Sequence, residues 1–240
     1  MENYLDIFYT GLEKLNIRLS EGQIQQFIKY YNILVETNKV MNLTAITAPK
    51  EVIEKHFIDS LSIVKAVDIN KNINVIDIGT GAGFPGIPLK ISYPQLRITL
   101  LDSLNKRIGF LNDVIKLLKL ENIETIHGRS EEYGKNKKYR EQYDLCVSRA
   151  VANLSILSEY CIPFVKIGGK FVAYKSGRCR EEVNQAENAV DKLGGKVGKI
   201  VDFCIDNTDI SRSLVVIDKV MATKTAYPRK AGIPSKEPLV

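Results

Sequence analysis

The sequence has 240 residues, of which 45% are hydrophobic and 26% are charged, and its formal net charge is +6. This composition is that of an ordinary globular protein, long enough for one domain whose core needs neither disulfides nor a structural metal. Four scattered cysteines without a C-x-x-C pair argue against a zinc site or a disulfide framework. Without a membrane-length apolar run or a signal-peptide pattern, a cytoplasmic protein that makes no membrane contact is expected.

Residues 1–72 are predicted to form a helical cap. Ser20 is a favourable helix N-cap, with Gln23 at the capping-box position. Apolar residues follow it at helical spacing, at Ile24, Phe27, Ile28, Tyr31, Leu34 and Val35. We expect this helix to end near Thr37–Asn38, and Pro49 to begin another helical stretch.

After the cap, residues 73–221 are predicted to form one α/β domain. Short apolar strands are expected at 74–79, 97–102, 123–128, 143–150 and 169–176. Helices are expected between them at about 84–92, 103–119, 151–166 and 178–193. This alternation predicts parallel βαβ units. Two further strands, at about 197–205 and 213–221, are joined without a helix, which predicts a final antiparallel hairpin.

Residues 222–240 are predicted to be an irregular tail, because they hold three of the eight prolines. The tail has four basic residues and one acidic residue, a net charge of +3. The cap has eight basic and nine acidic residues, and the central domain has 22 and 18. The positive excess therefore lies outside the cap, which suggests a polyanionic partner.

A glycine-rich loop of sequence GTGAGFPG, residues 79–86, follows the first strand. Glycines permit positive φ and a close approach of ligand to backbone. Asp102 ends the second strand, where a carboxylate is placed to bind ribose hydroxyls or to cap the next helix, as Ser103 also can. Asp77, inside the first strand, is expected to orient the loop through backbone N–H groups.

Dinucleotides and S-adenosylmethionine are both bound by such a loop. A pyrophosphate needs an open helix N-terminus, whereas Phe84 and Pro85 place an apolar ring and a residue without an N–H there. The final hairpin resembles the seven-stranded methyltransferase sheet more than a dinucleotide fold. The predicted fold is therefore a class I methyltransferase: a Rossmann-like, mostly parallel seven-stranded sheet with a terminal antiparallel strand and an N-terminal helical cap.

Several motifs together resemble the RsmG (GidB) family, bacterial enzymes that methylate guanine N7 in 16S ribosomal RNA. The resemblance covers about residues 20–238. The motifs are MNLTAI, HFIDSLS, VIDIGTGAGFPGIPLKI, LLDSLNKRIGFL, GRSEE, VSRAVANL and YPRKAGIP. The resemblance implies S-adenosylmethionine as the cofactor and 16S rRNA or the small ribosomal subunit as the partner. A monomer that takes part in rRNA processing is expected.

The predicted site residues come from two sources. The resemblance implies cofactor contacts at Gly79, Phe84, Ser130, Glu131 and Arg149, and RNA contacts at Lys106 or Arg107, Arg129 and Arg229. The glycine loop and the end of the second strand add Thr80, Gly81, Gly83, Asp102 and Ser103 to the cofactor contacts.

The chemistry implied by the resemblance agrees with the residues present. Residues 148–151 carry no [DN]-P-P-[FY] motif, which methylation of an exocyclic amine usually needs. Methylation of a pyrimidine carbon needs a cysteine nucleophile, but Cys146 lies within a predicted strand, where it is expected to fill the core. Guanine N7 has a lone pair available at neutral pH, so alignment with the methyl group suffices and no catalytic acid or base is predicted.

For single residues, structural roles without a ligand contact remain as alternatives. A structural ion pair is the alternative for Arg149, a solvated tail position is the alternative for Arg229, and a packing role is favoured for His56. For the whole chain, the alternatives are a non-catalytic RNA-binding or ribosome-assembly factor and a nicotinamide-dependent oxidoreductase.

Overall fold

A seven-stranded sheet forms the centre of the protein in the computed structural model. The described residues are 1–149, 152–177, 179–205 and 208–239. The strands are β1 (Asn74–Ile78), β2 (Arg97–Asp102), β3 (Ile123–His127), β4 (Tyr143–Arg149), β5 (Val165–Ser176), β6 (Gly195–Cys204) and β7 (Ser211–Lys219). Their spatial order is β3-β2-β1-β4-β5-β7-β6. Among the described strands, β7 alone runs antiparallel to the other six, so the predicted fold class and hairpin are confirmed. β7 lies between β5 and β6, not at the sheet edge.

Helices cover both faces of this sheet. They are α1 (Leu5–Lys14), α2 (Glu21–Met41), α3 (Pro49–Val52), α4 (Asp59–Leu61), α5 (Gly86–Ser92), α6 (Asn105–Leu118), α7 (Ser130–Tyr133), α8 (Leu154–Cys161), α9 (Arg180–Lys192) and α10 (Ile233–Lys236). The cap, α5 and α6 share one hydrophobic core with one face of the sheet. Helices α8 and α9 pack on the other face, where Cys146 is buried as expected.

The cap begins its main helix as the sequence predicts and ends it later. Ser20 and Gln23 form the capping box at the start of α2, and Pro49 occupies the first turn of α3. Helix α2 runs to Met41, past the predicted end at Thr37–Asn38. It ends where Asn42 adopts a left-handed conformation, with φ of 49°. Between α3 and α4 the chain forms a π-helical turn, which carries His56.

The boundary between α8 and β5 differs from the prediction. Helix α8 ends at Cys161, and a short 3-10 turn follows over Ile162–Phe164. The predicted helix 151–166 is therefore too long, and β5 begins at Val165 instead of residue 169. Pro163 in this turn has no N–H to continue the α-helical hydrogen bonding.

A few predicted boundaries fall outside the described residues: Ala150, Val151 and Arg178, with residues 206–207 of the hairpin connection. The tail departs from the predicted irregular structure at α10, a helix of one turn over Ile233–Lys236. Across the described ranges, no helix has the length and apolarity needed to span a bilayer.

Candidate functional site

The strand order places a ligand-binding position between β1 and β4. These strands are neighbours in the sheet although β2 and β3 lie between them in sequence, so the order reverses there. In such sheets, ligands bind beyond the carboxyl ends of the strands at the reversal. A cavity of about 400 Å³ opens at this edge. Seven of the predicted cofactor residues line it: Gly79, Thr80, Gly81, Phe84, Asp102, Ser103 and Arg149.

Asp77 of β1 holds the glycine loop by two hydrogen bonds. Its Oδ2 accepts hydrogen bonds from Thr80 Oγ1, at 2.6 Å, and from the Gly86 N–H, at 2.8 Å. Complete burial raises the pKa of this carboxyl to about 6, and the two hydrogen bonds oppose the rise. The expected contact of Asp77 with backbone N–H groups of the loop is confirmed for Gly86, and the second contact is with the Thr80 hydroxyl. Asp77 ties the loop and the start of α5 to β1.

The loop itself adopts conformations that favour glycine. Gly79, Gly81 and Gly83 have φ values of 70°, 62° and 98°. The Gly81 N–H donates to Asp102 Oδ2, at 2.9 Å, which fastens the outer side of the loop to the end of β2. The three glycines thus turn the backbone sharply while keeping Gly79 and Gly81 open to the cavity.

Asp102 organises this side of the cavity. Besides the Gly81 N–H, its carboxylate accepts the Leu104 N–H, at 2.9 Å, and Arg107 Nη1, at 3.2 Å. A carboxylate has about four acceptor positions, so about one remains for a ligand hydroxyl. Neither Asp102 nor Ser103 is the N-cap of α6, which is Leu104. The ribose contact of Asp102 stays a prediction.

Arg149 forms the opposite wall. Its Nη1 donates to the Lys55 carbonyl and to Asp59 Oδ2, each at 3.0 Å, and its guanidinium lies 5.0 Å from the centroid of the Phe84 ring. Asp59, only 2% exposed, also accepts Arg212 Nε, at 2.9 Å. The structural ion pair foreseen as the alternative for Arg149 therefore exists, and the same side chain also lines the cavity.

His56 completes this wall from the cap. Its ring stacks on Phe84 with 4.4 Å between centroids, and its Nε2 lies 3.0 Å from Thr44 Oγ1. Burial and the neighbouring charge of Arg149 lower the pKa of His56 to about 3. The imidazole is therefore neutral at physiological pH. It has the packing role favoured from sequence, but it also lines the cavity.

A second cavity, of about 360 Å³, adjoins the first and shares His56 and Arg149 with it. Its other lining residues come from the cap and from the ends of β5, α9 and β7: Ile46, Lys55, Asp59, Tyr174, Lys175, Ser176, Glu182 and Arg212. Asp59, Lys175 and Arg212 are not among the site residues predicted from the sequence. The motif HFIDSLS was the available signal for Asp59, since it places an acid three residues after His56.

Three predicted cofactor residues are not among those that line the first cavity: Gly83, Ser130 and Glu131. Gly83 belongs to the loop but is buried. Glu131 is also buried, and its Oε1 accepts the Gly232 N–H of the tail, at 2.9 Å, while Ser130 Oγ donates to its Oε2. The side chain of Glu131 thus anchors the tail, and the cofactor role of this pair stays a prediction.

The predicted RNA contacts lie in different settings. Lys106 and Arg129 are exposed, and Arg107 lines the first cavity. Arg229 donates through Nε and Nη2 to the carboxylate of Glu159, which is fully buried, at 2.7 to 3.1 Å. Its Nη2 also donates to the Glu237 carbonyl. The guanidinium of Arg229 is therefore engaged inside the protein, and it is not the solvated side chain of the alternative interpretation.

Another cavity, of about 490 Å³, lies at the opposite edge of the sheet. It is lined by residues at the amino ends of β1 to β4, among them Asn74, Thr99 and Tyr143. Active sites of open α/β sheets form at the carboxyl edge, where the connecting loops converge. The first and second cavities are therefore the candidate site.

Comparisons with known proteins give a consistent result. A family model described as "GidB: rRNA small subunit methyltransferase G" matches residues 23–214. The "Ribosomal RNA small subunit methyltransferase G" of Lachnoclostridium phytofermentans is 52% identical over 233 residues, which cover 97% of this chain and 96% of the relative. The protein of the same name from Alkaliphilus metalliredigens is 49% identical over 233 residues, with 97% and 98% covered.

Solved structures resemble the fold at low sequence identity. The M. jannaschii TYW2 structure in complex with AdoMet has a TM-score of 0.50 and 18% identity, over 63% of this chain and 71% of that one. The putative methyltransferase in complex with the Haloferax volcanii Trm112 activator has a TM-score of 0.56 and 12% identity, over 72% and 93%. At this identity the likeness establishes the class I methyltransferase fold alone.

Proposed function

The chain belongs to the GidB family of rRNA small subunit methyltransferases, and we propose that it transfers the methyl group of S-adenosylmethionine to N7 of a guanine in 16S rRNA. Family membership supports an enzyme over the alternative of a non-catalytic assembly factor. The observation that carries the proposal is the convergence of the glycine loop, Asp102 and Arg149 on one cavity with a second cavity beside it.

The first cavity fits the cofactor in three respects. Gly79 and Gly81 leave room for close backbone contact, Asp102 keeps about one acceptor position for a ribose hydroxyl, and Phe84 offers an apolar ring. When bound, S-adenosylmethionine supplies an electrophilic methyl group that the N7 lone pair accepts without prior loss of a proton.

The second cavity is where we place the guanine. The residues it shares with the first cavity, His56 and Arg149, lie where the two ligands would meet. Guanine presents two acceptors, N7 and O6, on one edge, and arginine donors are suited to O6. Asp59 holds Arg149 and Arg212 in place, and the neutral His56 adds no charge against the cationic methyl donor.

The three parts of the chain divide the remaining work in this proposal. The cap, residues 1–72, closes one wall of both cavities, and the central domain, residues 73–221, binds the cofactor. Lys106 or Arg107, together with Arg129, contacts RNA phosphates, while the tail, residues 222–240, adds exposed lysines. For Arg229, the ion pair with Glu159 favours an indirect role, in which it holds the tail in place. We also propose that the protein acts as a cytoplasmic monomer.

The test is incubation with labelled S-adenosylmethionine and either naked 16S rRNA or small subunits from cells that lack this enzyme. We expect N7-methylguanosine to carry the label in the nucleoside digest. Label on another nucleoside would overturn the assigned position. Binding of the cofactor without turnover on either substrate would favour the non-catalytic alternative.

A further inference from the structure

A tyrosine of the cap reaches the glycine loop from outside the sheet domain. Tyr30 lies on α2, and its side chain is fully buried. Its hydroxyl donates to the Ala82 carbonyl with an oxygen–oxygen distance of 2.5 Å. Burial raises the pKa of Tyr30 well above its ordinary value of 10, so the hydroxyl keeps its proton and remains a donor. The contact joins positions 52 residues apart.

This hydrogen bond acts on a loop residue that lies between two glycines. Ala82 lies between Gly81 and Gly83, both with positive φ, so the backbone on either side has wide conformational freedom. A Cβ placed on Gly83 would lie 2.9 Å from the Tyr30 hydroxyl oxygen. Tyr30 therefore fills the space against Gly83 as well as fixing the carbonyl before it.

The Tyr30 ring also supports the aromatic side chain of the loop. Its centroid lies 5.4 Å from that of Phe84, and it stacks on Phe57 at 5.7 Å. Phe84 in turn lines the first cavity and stacks on His56. Tyr30 itself is not among the residues lining the cavity, so an effect on the cofactor has to pass through the loop.

We propose that Tyr30 is a positioning residue for the cofactor site, which sets the glycine loop in the conformation that binds S-adenosylmethionine. This inference rests on the cofactor named in the proposed function. If Tyr30 has this role, the cap is part of the cofactor site, because a buried side chain of the cap holds the glycine loop by a hydrogen bond. Asp77 and Asp102 fasten the same loop from the sheet domain.

The test compares two adjacent tyrosines of α2 in the full chain. Tyr30→Phe removes the hydroxyl and keeps the ring. The matched control is Tyr31→Phe, because the Tyr31 hydroxyl donates to the Thr47 carbonyl, at 3.1 Å, and makes no hydrogen bond to the glycine loop. Calorimetric titration with S-adenosylmethionine gives Kd for each protein, at a temperature where thermal melts show that all are folded.

Loss of one buried hydrogen bond predicts a rise in Kd of roughly three- to tenfold for Tyr30→Phe, against less than about twofold for Tyr31→Phe. In steady-state assays we expect KM for S-adenosylmethionine to rise in the same proportion while KM for rRNA stays unchanged. A merely structural role would lower Tm without this separation of the two KM values.

Three results would overturn the proposal: a wild-type Kd for Tyr30→Phe, an equal rise in both variants, or parallel increases in the two KM values. The binding comparison does not need turnover. If the unaltered chain binds S-adenosylmethionine but methylates no RNA, the proposed function fails and the Tyr30 effect is still measured. If it does not bind S-adenosylmethionine, the cofactor assignment and this inference fail together.

Discussion

The glycine loop and the C-terminal tail both contain conspicuous sequence motifs, but the structure uses their residues differently. In the loop, Gly79, Gly81 and Phe84 line the cavity, as the motif predicts. In the tail, the motif predicts an RNA contact for Arg229, and the structure shows its guanidinium paired with the buried Glu159. A motif that encodes backbone conformation keeps its meaning in isolation, whereas the task of a long side chain depends on the partner that folding brings to it.

The tail is also more firmly attached than its proline content suggests. Arg140 donates to the carbonyls of Thr223, Lys224 and Tyr227. Lys219, at the end of β7, is buried and pairs with Glu141, and burial lowers the pKa of its ammonium to about 8. The tail is therefore an anchored segment, and its exposed charged residues are Lys224, Lys230, Lys236 and Glu237.

The largest expected difference between these regions comes from replacing their arginines. Arg149→Ala should lower kcat/KM for rRNA methylation by about 100-fold or more, because it removes preorganised donors from the wall common to both cavities. The control is Arg97→Ala, at the opposite edge of the sheet, which we expect to retain full activity. If kcat/KM fell by less than about threefold in Arg149→Ala, Arg149 would have no direct part in the reaction.

Arg229→Ala should act on stability instead. It leaves the buried carboxylate of Glu159 without its cationic partner, so the free energy of unfolding should fall by about 2–3 kcal/mol in urea titrations. Kd for S-adenosylmethionine should stay within about twofold of wild type. Lys230→Ala is the neighbouring control, expected to change the free energy of unfolding by less than about 0.5 kcal/mol. If Arg229→Ala left the free energy of unfolding unchanged and selectively weakened RNA binding, the result would support a direct contact between Arg229 and RNA.

A smaller effect is expected from His56 of the cavity wall, which makes the free energy of unfolding depend on pH. The pKa of His56 is about 3 in the folded protein, against 6.5 for an ordinary histidine. Between these values the unfolded chain binds a proton that the folded chain does not. The stability contributed by neutral His56 is therefore complete above pH 6.5 and is lost as pH falls, by about 1 kcal/mol between pH 7 and pH 5.8.

We expect His56→Gln to remove this part of the pH dependence, measured as the free energy of unfolding at several pH values. Asp77 acts in the opposite sense: because its pKa is raised from 3.8 to about 6, stability falls as pH rises between these values. It is present in both proteins, so the difference between them isolates His56. The control is His127→Gln, which replaces the exposed histidine of β3. Equal pH slopes in wild type and His56→Gln would contradict the neutral, buried state of His56.

Structural features that depend on residues close together in the sequence were predictable. The capping box of Ser20 and Gln23 and the hydrogen bond from Gly86 to Asp77 involve residues no more than nine positions apart. The cluster of Asp59, Arg149 and Arg212 was not predictable, because its hydrogen bonds join residues 90 and 153 positions apart. Helix ends were intermediate: α2 passes the polar residues Thr37 and Asn38 and stops at the left-handed Asn42.

The succession of strands and helices along the chain, the conformation of the glycine loop and the family can be read from the residues alone, because periodicity, turn chemistry and motif spacing are local properties. Which charges meet depends on how distant elements pack together. Burial makes an unpaired charge costly, so Asp59 and Glu159 must recruit arginines from distant elements. That requirement placed Arg149 at the site and Arg229 in the anchor of the tail, and it is a property of the packed core that no stretch of sequence displays.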